Sequence, residues 1–340
     1  MAHDAIPRPA GALIAGPGHQ RWDELLANIA GLLPARGAAV LIDGGPSETV
    51  ADRLAATLCA AGRPCHRLTG AANGGSATGA ITLADGPRWR VGRQWDVVIW
   101  LRTPPGGTDS RAHGEAGADI VIDLHDADWP VIRHVAATLA APGPWYVTET
   151  RAFFSVKAAT WDTKFGDDLP AYAAAIAEAG IPAGGVVIDV GCGTGRALPA
   201  LRQAVGPDGA VIAIDLTPEM LAHARAQGRA AYAALVVGDA RCLPLASASA
   251  DAVFAAGLIM HLPDPEAGLG QLARITRRGG LLILFHPSGR AALAARHGRA
   301  LRPDEPLAEA PLRHSTRRAG WRLITYDDAE CRFLAVAIRE

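Results

Sequence analysis

Residues 187–201 read VIDVGCGTGRALPAL: an apolar run, a turn with glycines at 191, 193 and 195, and then a helical pattern. Strand, glycine turn and helix in that order build a crevice where backbone can come close to a nucleotide-type ligand. The spacing is G-x-G-x-G, and the slot in which a dinucleotide fingerprint needs its third glycine holds Arg196. Asp189 stands at the mouth of the turn. Two unit charges about 4 Å apart interact by roughly 1 to 4 kcal/mol at the effective dielectrics of water and protein surfaces, so a carboxylate there opposes a pyrophosphate and favours a cation.

Outward from this turn the pattern alternates. Strands are expected at 186–190, 210–214, 233–237, 251–256 and 280–286, and helices from about 196, at 218–227 and at 265–276. Short, nearly all-apolar strands alternating with amphipathic helices imply a parallel sheet covered on both faces. WRLITYDD (321–328) and RFLAVAIR (332–339) read as a closing antiparallel pair. Asp215 ends the second of these strands, placed to accept from two ribose hydroxyls, and Asp239 follows the third, where it can accept from an exocyclic amine. Three acids at three successive strand ends suit a phosphate-free, cationic nucleoside, and S-adenosylmethionine (SAM), with its ammonium and sulfonium, has that chemistry.

The segment from about 153 to 340 resembles the class I SAM-dependent methyltransferases of the small-molecule type, similar to the quinone-biosynthesis C-methyltransferases. VIDVGCGTG is similar to that family's first motif, AIDLTPEML to its ribose motif and GDARCLP to its adenine motif; DAVFAAGLIMHLPDP and RRGGLLILF resemble its fourth strand, following helix and fifth strand. The resemblance implies a Rossmann-like α/β fold with a mostly parallel seven-stranded sheet and an antiparallel last strand. It implies SAM as cofactor, with Gly191 and Gly193 at the methionine portion, Asp215 at the ribose and Asp239 with Ala240 at the adenine, and with Asp189, Cys192, Leu216 and Gly257 also expected to bind it.

Methyl transfer from a sulfonium is an in-line displacement, so holding nucleophile, methyl carbon and sulfur collinear is the main task and a base is optional. For a phenol or acidic carbon, histidine is the common base. His261, after the fourth strand, is the preferred candidate and His286, ending the fifth, the second. FFSVKAATWDTKFGDDLPAY (153–172) precedes the first strand where related enzymes place a helical cover, so Trp161 and Tyr172 are expected either in a lid or as core aromatics. Cys192 and Cys242 flank the cofactor motifs, but without a third convergent thiol an arsenical or metal substrate is disfavoured.

In the first half, strands are expected at 38–43, 96–101 and 119–124 and helices at 21–33 and 48–61. Residues 21–135 resemble, more weakly, the uridine kinase-like branch of P-loop proteins, through AVLIDGGPSETVADRLAATLCAAGRPCHRL, WDVVIWLRTPP and GADIVIDLHDADWPVI. A working P-loop needs G-x-x-x-x-G-K-[ST]. Counted from Gly44, the last three slots hold Thr49, Val50 and Ala51; in the alternative register the loop is about three residues short and Ser47 and Glu48 replace lysine and hydroxyl. The family's acid after the second strand is absent from CHRLTGAANGG (65–75). The resemblance therefore implies fold and an inactive, pseudokinase-like domain rather than phosphoryl transfer. The expected domains are 1–143, a linker at 144–152 where LAAPGPWYVTET interrupts the pattern, and 153–340.

At 340 residues two domains are the natural division, since single cores stop growing near 250 to 300 residues. A formal net charge of −1 with 49% hydrophobic residues excludes extended disorder and gives no general pull toward nucleic acid. Seven arginines between 290 and 318, at 290, 296, 299, 302, 313, 317 and 318, against three acids, are the exception, but they lack interleaved aromatics and read as a solvated face. The N-terminus lacks the basic start and apolar run of a signal peptide, no apolar run approaches a membrane span, and five scattered cysteines without a C-x-x-C pair fit a reducing cytoplasm. The expectation is a cytoplasmic enzyme methylating an O, N or C atom of a small-molecule acceptor, with no metal and no membrane partner, and a homodimer left open. An RNA or protein methyltransferase, or a non-enzymatic SAM-binding scaffold, are the alternatives.

Overall fold

The computed structural model describes residues 17–35, 37–68, 79–89, 94–104, 117–139, 143–296 and 300–340. The chain forms two compact units, Met1–Ala141 and Pro142–Glu340. The signal-peptide reading of the first residues and the second half of CHRLTGAANGG lie outside the described residues.

In the first unit α1 (Pro17–Leu32) buries Leu25, Leu26, Ile29 and Leu32, spaced as one helical face. Strands β1 (Ala39–Asp43), β2 (Cys65–Arg67), β3 (Ile81–Asp85), β4 (Val97–Arg102), β5 (Ile120–Asp123) and β6 (Val131–Val135) form one sheet in the order β2-β3-β1-β4-β5-β6, with α2 (Ser47–Ala60) following β1. Only the β5–β6 pair is antiparallel. Arg21 is buried on α1, its Nε donating to the Pro130 carbonyl at 2.8 Å, so the helix is tied to the segment entering β6.

The second unit opens with helices α3 (Trp145–Ser155), α4 (Trp161–Phe165) and α5 (Leu169–Ala179). The linker expected at 144–152 is instead largely α3: Pro144 precedes its first turn, where a missing N–H costs nothing, and Trp145 and Tyr146 are buried. Then β7 (Val186–Val190), α6 (Leu198–Val205), β8 (Ala210–Asp215), α7 (Pro218–Ala226), β9 (Ala234–Val237), β10 (Ala250–Ala256), α8 (Pro265–Ile275), β11 (Thr276–His286), α9 (Arg290–Arg296), α10 (Glu309–Arg318), β12 (Trp321–Ala329) and β13 (Arg332–Arg339) follow.

The sheet order is β12-β13-β11-β10-β7-β8-β9, and β13 runs antiparallel to both its neighbours. This is the Rossmann-like, mostly parallel seven-stranded architecture with an antiparallel last strand that the motifs implied. Its core joins Val187, Leu198, Leu201, Phe254, Ile283 and Phe285. Parallel pairing sets Asp189 beside Ala213 and Phe254, and Asp215 beside Val237, which brings both acids to the carboxyl edge of the sheet. That edge is where open α/β sheets hold ligands.

Candidate functional site

The glycine turn leaves β7 and folds back over β8. Gly191 and Cys192 donate their backbone N–H groups to the Ile214 carbonyl at 2.8 and 3.1 Å, and Gly193 donates to Asp215 Oδ2 at 2.8 Å. Gly191 (φ +74°) and Gly193 (φ +54°) both use the left-handed region that side chains avoid. A Cβ on Gly191 would come within 3.0 Å of Leu258 Cδ1, whereas one on Gly193 would meet nothing within 4 Å. The turn therefore has one packed flank and one open flank.

Asp189 is 2% exposed. Burial, and then the neighbouring Asp215, push its carboxyl up to about 8, so at neutral pH it holds a proton until a cation is brought beside it. Burial also raises Asp215, against the backbone N–H groups of Thr217, at 2.8 Å, and Gly193 that favour its charged form. The three acids thus differ. Asp239 is held by Arg241, whose Nη2 lies 2.7 Å from Oδ2 and whose backbone N–H donates to Oδ1 at 2.9 Å. The Arg241 guanidinium in turn lies over the Tyr146 ring at 4.3 Å.

Tyr146 and Arg151, both on α3, were not singled out from the sequence. Burial, then Asp239, push the Tyr146 hydroxyl up to about 12, with Asp215 adding to the rise. Arg151 Nε donates to the Leu216 carbonyl at 2.9 Å. So α3 is fastened to the carboxyl edge of the sheet through the Leu216 carbonyl and through Arg241, the partner of Asp239. The signal was present in TETR (148–151), a helical pattern interrupted by nothing, but the preceding Pro-Gly-Pro drew the reading toward a linker.

On the other side, Gly257 closes β10 with an N–H to the Phe285 carbonyl at 2.9 Å. His261 is half-buried in a single turn of 3-10 helix, Ile259–His261, and meets the Phe154 ring edge-on with centroids 5.4 Å apart. Phe154 also packs against Trp161 at 5.6 Å, so Phe154 links α3, α4 and His261. Tyr172 goes elsewhere: it packs on Phe285 at 4.9 Å and Phe254 at 6.3 Å, as a core aromatic. His286 Nδ1 lies 2.9 Å from the Ser288 carbonyl oxygen and 3.0 Å from the Ser288 backbone nitrogen, and burial lowers the ring's pKa. Cys192 is buried with its thiol pushed up by desolvation, Cys242 is exposed, and no group of three or more His, Cys, Asp or Glu among the described residues is arranged to hold a metal.

Four of the seven arginines between 290 and 318 are paired with acids. Arg290 lies between Glu305 (3.0 Å) and Asp328 (3.3 Å), Arg302 pairs with Asp304, Arg313 with Glu309 and Arg318 with Glu266, while Arg296 donates to Ser288 Oγ. Arg299 lies outside the described residues. In the first unit, α2 begins directly at Ser47 after Gly44, Gly45 and Pro46; Gly44 N–H donates to Asp43 Oδ1 at 2.7 Å, and Arg67 holds Asp85 and Asp52, each at 2.9 Å.

Residues 188–284, within the second unit, match the family model described as a methyltransferase domain. The chain is 35% identical over 132 residues to a malonyl-[acyl-carrier protein] O-methyltransferase of Hahella chejuensis, covering 38% of this chain and 46% of that protein. It is 32% identical over 152 residues to the O-methyltransferase cnsE of Penicillium expansum, covering 42% and 54%. The chain thus spans about half or less of the length of these curated relatives. A SAM-dependent methyltransferase structure from Aquifex aeolicus aligns with a TM-score of 0.46 at 22% identity, over 55% of this chain and 98% of that one.

Proposed function

We propose that the chain is a methyltransferase that moves a methyl group from SAM to an O, N or C atom of a small-molecule acceptor. The observation that supports this most is the trio Asp189, Asp215 and Asp239 around a glycine turn whose Gly193 flank is open, within the segment that matches the methyltransferase domain. Those donors and acceptors fit a cationic nucleoside, whose ammonium favours the ionised form of Asp189, whereas a pyrophosphate would meet three acceptor side chains. O-methyltransferases among the relatives favour an oxygen acceptor. No helix among the described residues is long and apolar enough to cross a membrane, and five free thiols suit a reducing cytoplasm.

SAM, when bound, would supply an electrophilic methyl group on its sulfonium sulfur. Gly191, Cys192 and Gly193 give the close backbone approach for its methionine portion, and Asp189 gives up its proton to balance the ammonium. Asp215 and the Leu216 backbone hold the ribose; Asp239 and Ala240 meet the adenine, with Arg241, stacked on the Tyr146 ring, fixing the Asp239 carboxylate. Gly257 leaves space where β10 meets the site. His261, braced by Phe154, takes the acceptor's proton, and Phe154 with Trp161 excludes water from that side. The paired arginines favour a small molecule over RNA. A SAM-consumption assay over panels of small molecules, RNA and protein tests this: turnover is expected with small molecules, and turnover with RNA or protein alone would replace the acceptor class.

The first unit is read as a domain retained for packing, oligomerisation or acceptor recognition, with residues 1–143 and 153–340 as the functional division. Its three-residue loop before α2, the carboxylate of Asp43 on the Gly44 N–H and Glu48 in the first helical turn all disfavour a triphosphate.

A further inference from the structure

We propose that Asp162 is a positioning residue that latches the Trp161-bearing helix α4 to the glycine turn, so that the donor loop and the acceptor-side wall are set in place together. The inference rests on the methyltransferase reading of the same site. Asp162 Oδ1 accepts from Thr194 Oγ1 at 2.6 Å and lies 3.3 Å from Arg196 Nη1; its Oδ2 lies 2.7 Å from Arg229 Nη1 and 3.9 Å from His223 Nε2. Thr194 and Arg196 belong to the glycine turn and its exit, and both are buried, 1% and 6% exposed. Arg229 also donates to the Thr194 carbonyl at 2.7 Å, and Arg196 reaches Asp168 Oδ1 at 2.8 Å and the Gly166 carbonyl at 2.6 Å.

Two arginines and two aspartates therefore join a segment of 162–168 to the turn at 194–196, with His223 and Arg229 closing the ring from α7 and the turn after it. A five-residue helix has no stability of its own. Its place depends on these contacts, and it carries Trp161 against Phe154, which in turn meets His261. Burial works against charge on Asp162, but the Thr194 hydroxyl and the two guanidinium groups outweigh it and hold the carboxyl below its ordinary value, which keeps it ionised at neutral pH. Arg196 occupies the slot of the missing third dinucleotide glycine, so the same side chain that departs from that fingerprint serves the latch.

The test uses the full chain, with S-adenosylhomocysteine as probe, hydrogen exchange of amides 157–168, and calorimetric affinity. Asp162→Asn, Asp162→Ala, Thr194→Val and the conservative Thr194→Ser are compared with wild type. In wild type the probe is expected to slow exchange in 157–168; Asp162→Ala and Thr194→Val should speed it at least about tenfold and lose the slowing on binding, Asp162→Asn should fall between, and Thr194→Ser should restore both. Amides of β7 and β8 should stay protected in all of them. Should Asp162→Ala not fold, Asp162→Asn and Thr194→Val carry the comparison. Probe binding in these variants with wild-type affinity and wild-type slowing of 157–168 would overturn the latch. Failure of wild type itself to bind the probe would instead remove the methyltransferase reading, and exchange without probe would still decide whether Asp162 holds the helix.

Discussion

Asp189 turns a static charge pattern into a measurable proton. Its folded-state value of about 8 lies above the ordinary carboxylate value of 3.8, and bringing an ammonium beside it lowers that value again. Binding of SAM at pH 7 should therefore release close to one proton, seen as a binding enthalpy that varies with buffer ionisation enthalpy. The release should vanish at pH 9 and in Asp189→Asn, and a buffer-independent enthalpy at pH 7 would contradict it. The same raised value has a sign for stability: Asp189's contribution is fully present below 3.8 and lost as pH rises through about 8, and Asp189→Asn should flatten that loss. For His261, replacement by Asn should leave S-adenosylhomocysteine affinity within about threefold and lower turnover by roughly 10²- to 10⁴-fold if the acceptor needs a base. Unchanged turnover would remove it as the base.

Elements explain which of these residues could be read from sequence. The strands of the second unit lie within a residue or two of the expected positions at most ends, because buried parallel strands are near-continuous apolar runs and glycine or acid marks their ends. The start of β11 at Thr276 and the helix over 145–155 were not seen. In the first unit β3 and β6 escaped as well, β6 following directly on Pro130, and β2, three residues long, was implied only by the family resemblance around CHRL (65–68). Asp189, Asp215 and Asp239 were legible because each ends a strand beside a turn. The pairs Asp162–Arg196 and Tyr146–Arg241 were not, since their partners stand 34 and 95 residues apart and no local spacing records a contact across the sheet edge. At the scale of the turn, Gly191→Ala should cost about 1–2 kcal/mol for left-handed backbone alone, because φ is +74°, and more for the 3.0 Å approach to Leu258. Thermal unfolding with and without S-adenosylhomocysteine reads this directly, and a wild-type melting temperature would show that the turn tolerates a side chain.

At the scale of the molecule, two α/β units share an architecture of parallel strands with ligand-ready carboxyl edges, but their edges differ in chemistry. The second unit sets buried Asp189 and half-buried Asp215 and Asp239 around an open glycine flank; the first places Asp43 and Glu48 at a short loop and pairs Arg67 with Asp85. Among the described residues, arginines at these edges are paired with acids, Arg67 with Asp85 and Arg241 with Asp239. The most direct measurement is a calorimetric titration of the full chain with SAM, S-adenosylhomocysteine, NAD and ATP under one set of conditions. Saturable heat is expected for SAM and S-adenosylhomocysteine and none for NAD or ATP. Tight uptake of NAD with no response to either adenosyl compound would contradict the central claim, and tight uptake of ATP would contradict the reading of the first unit.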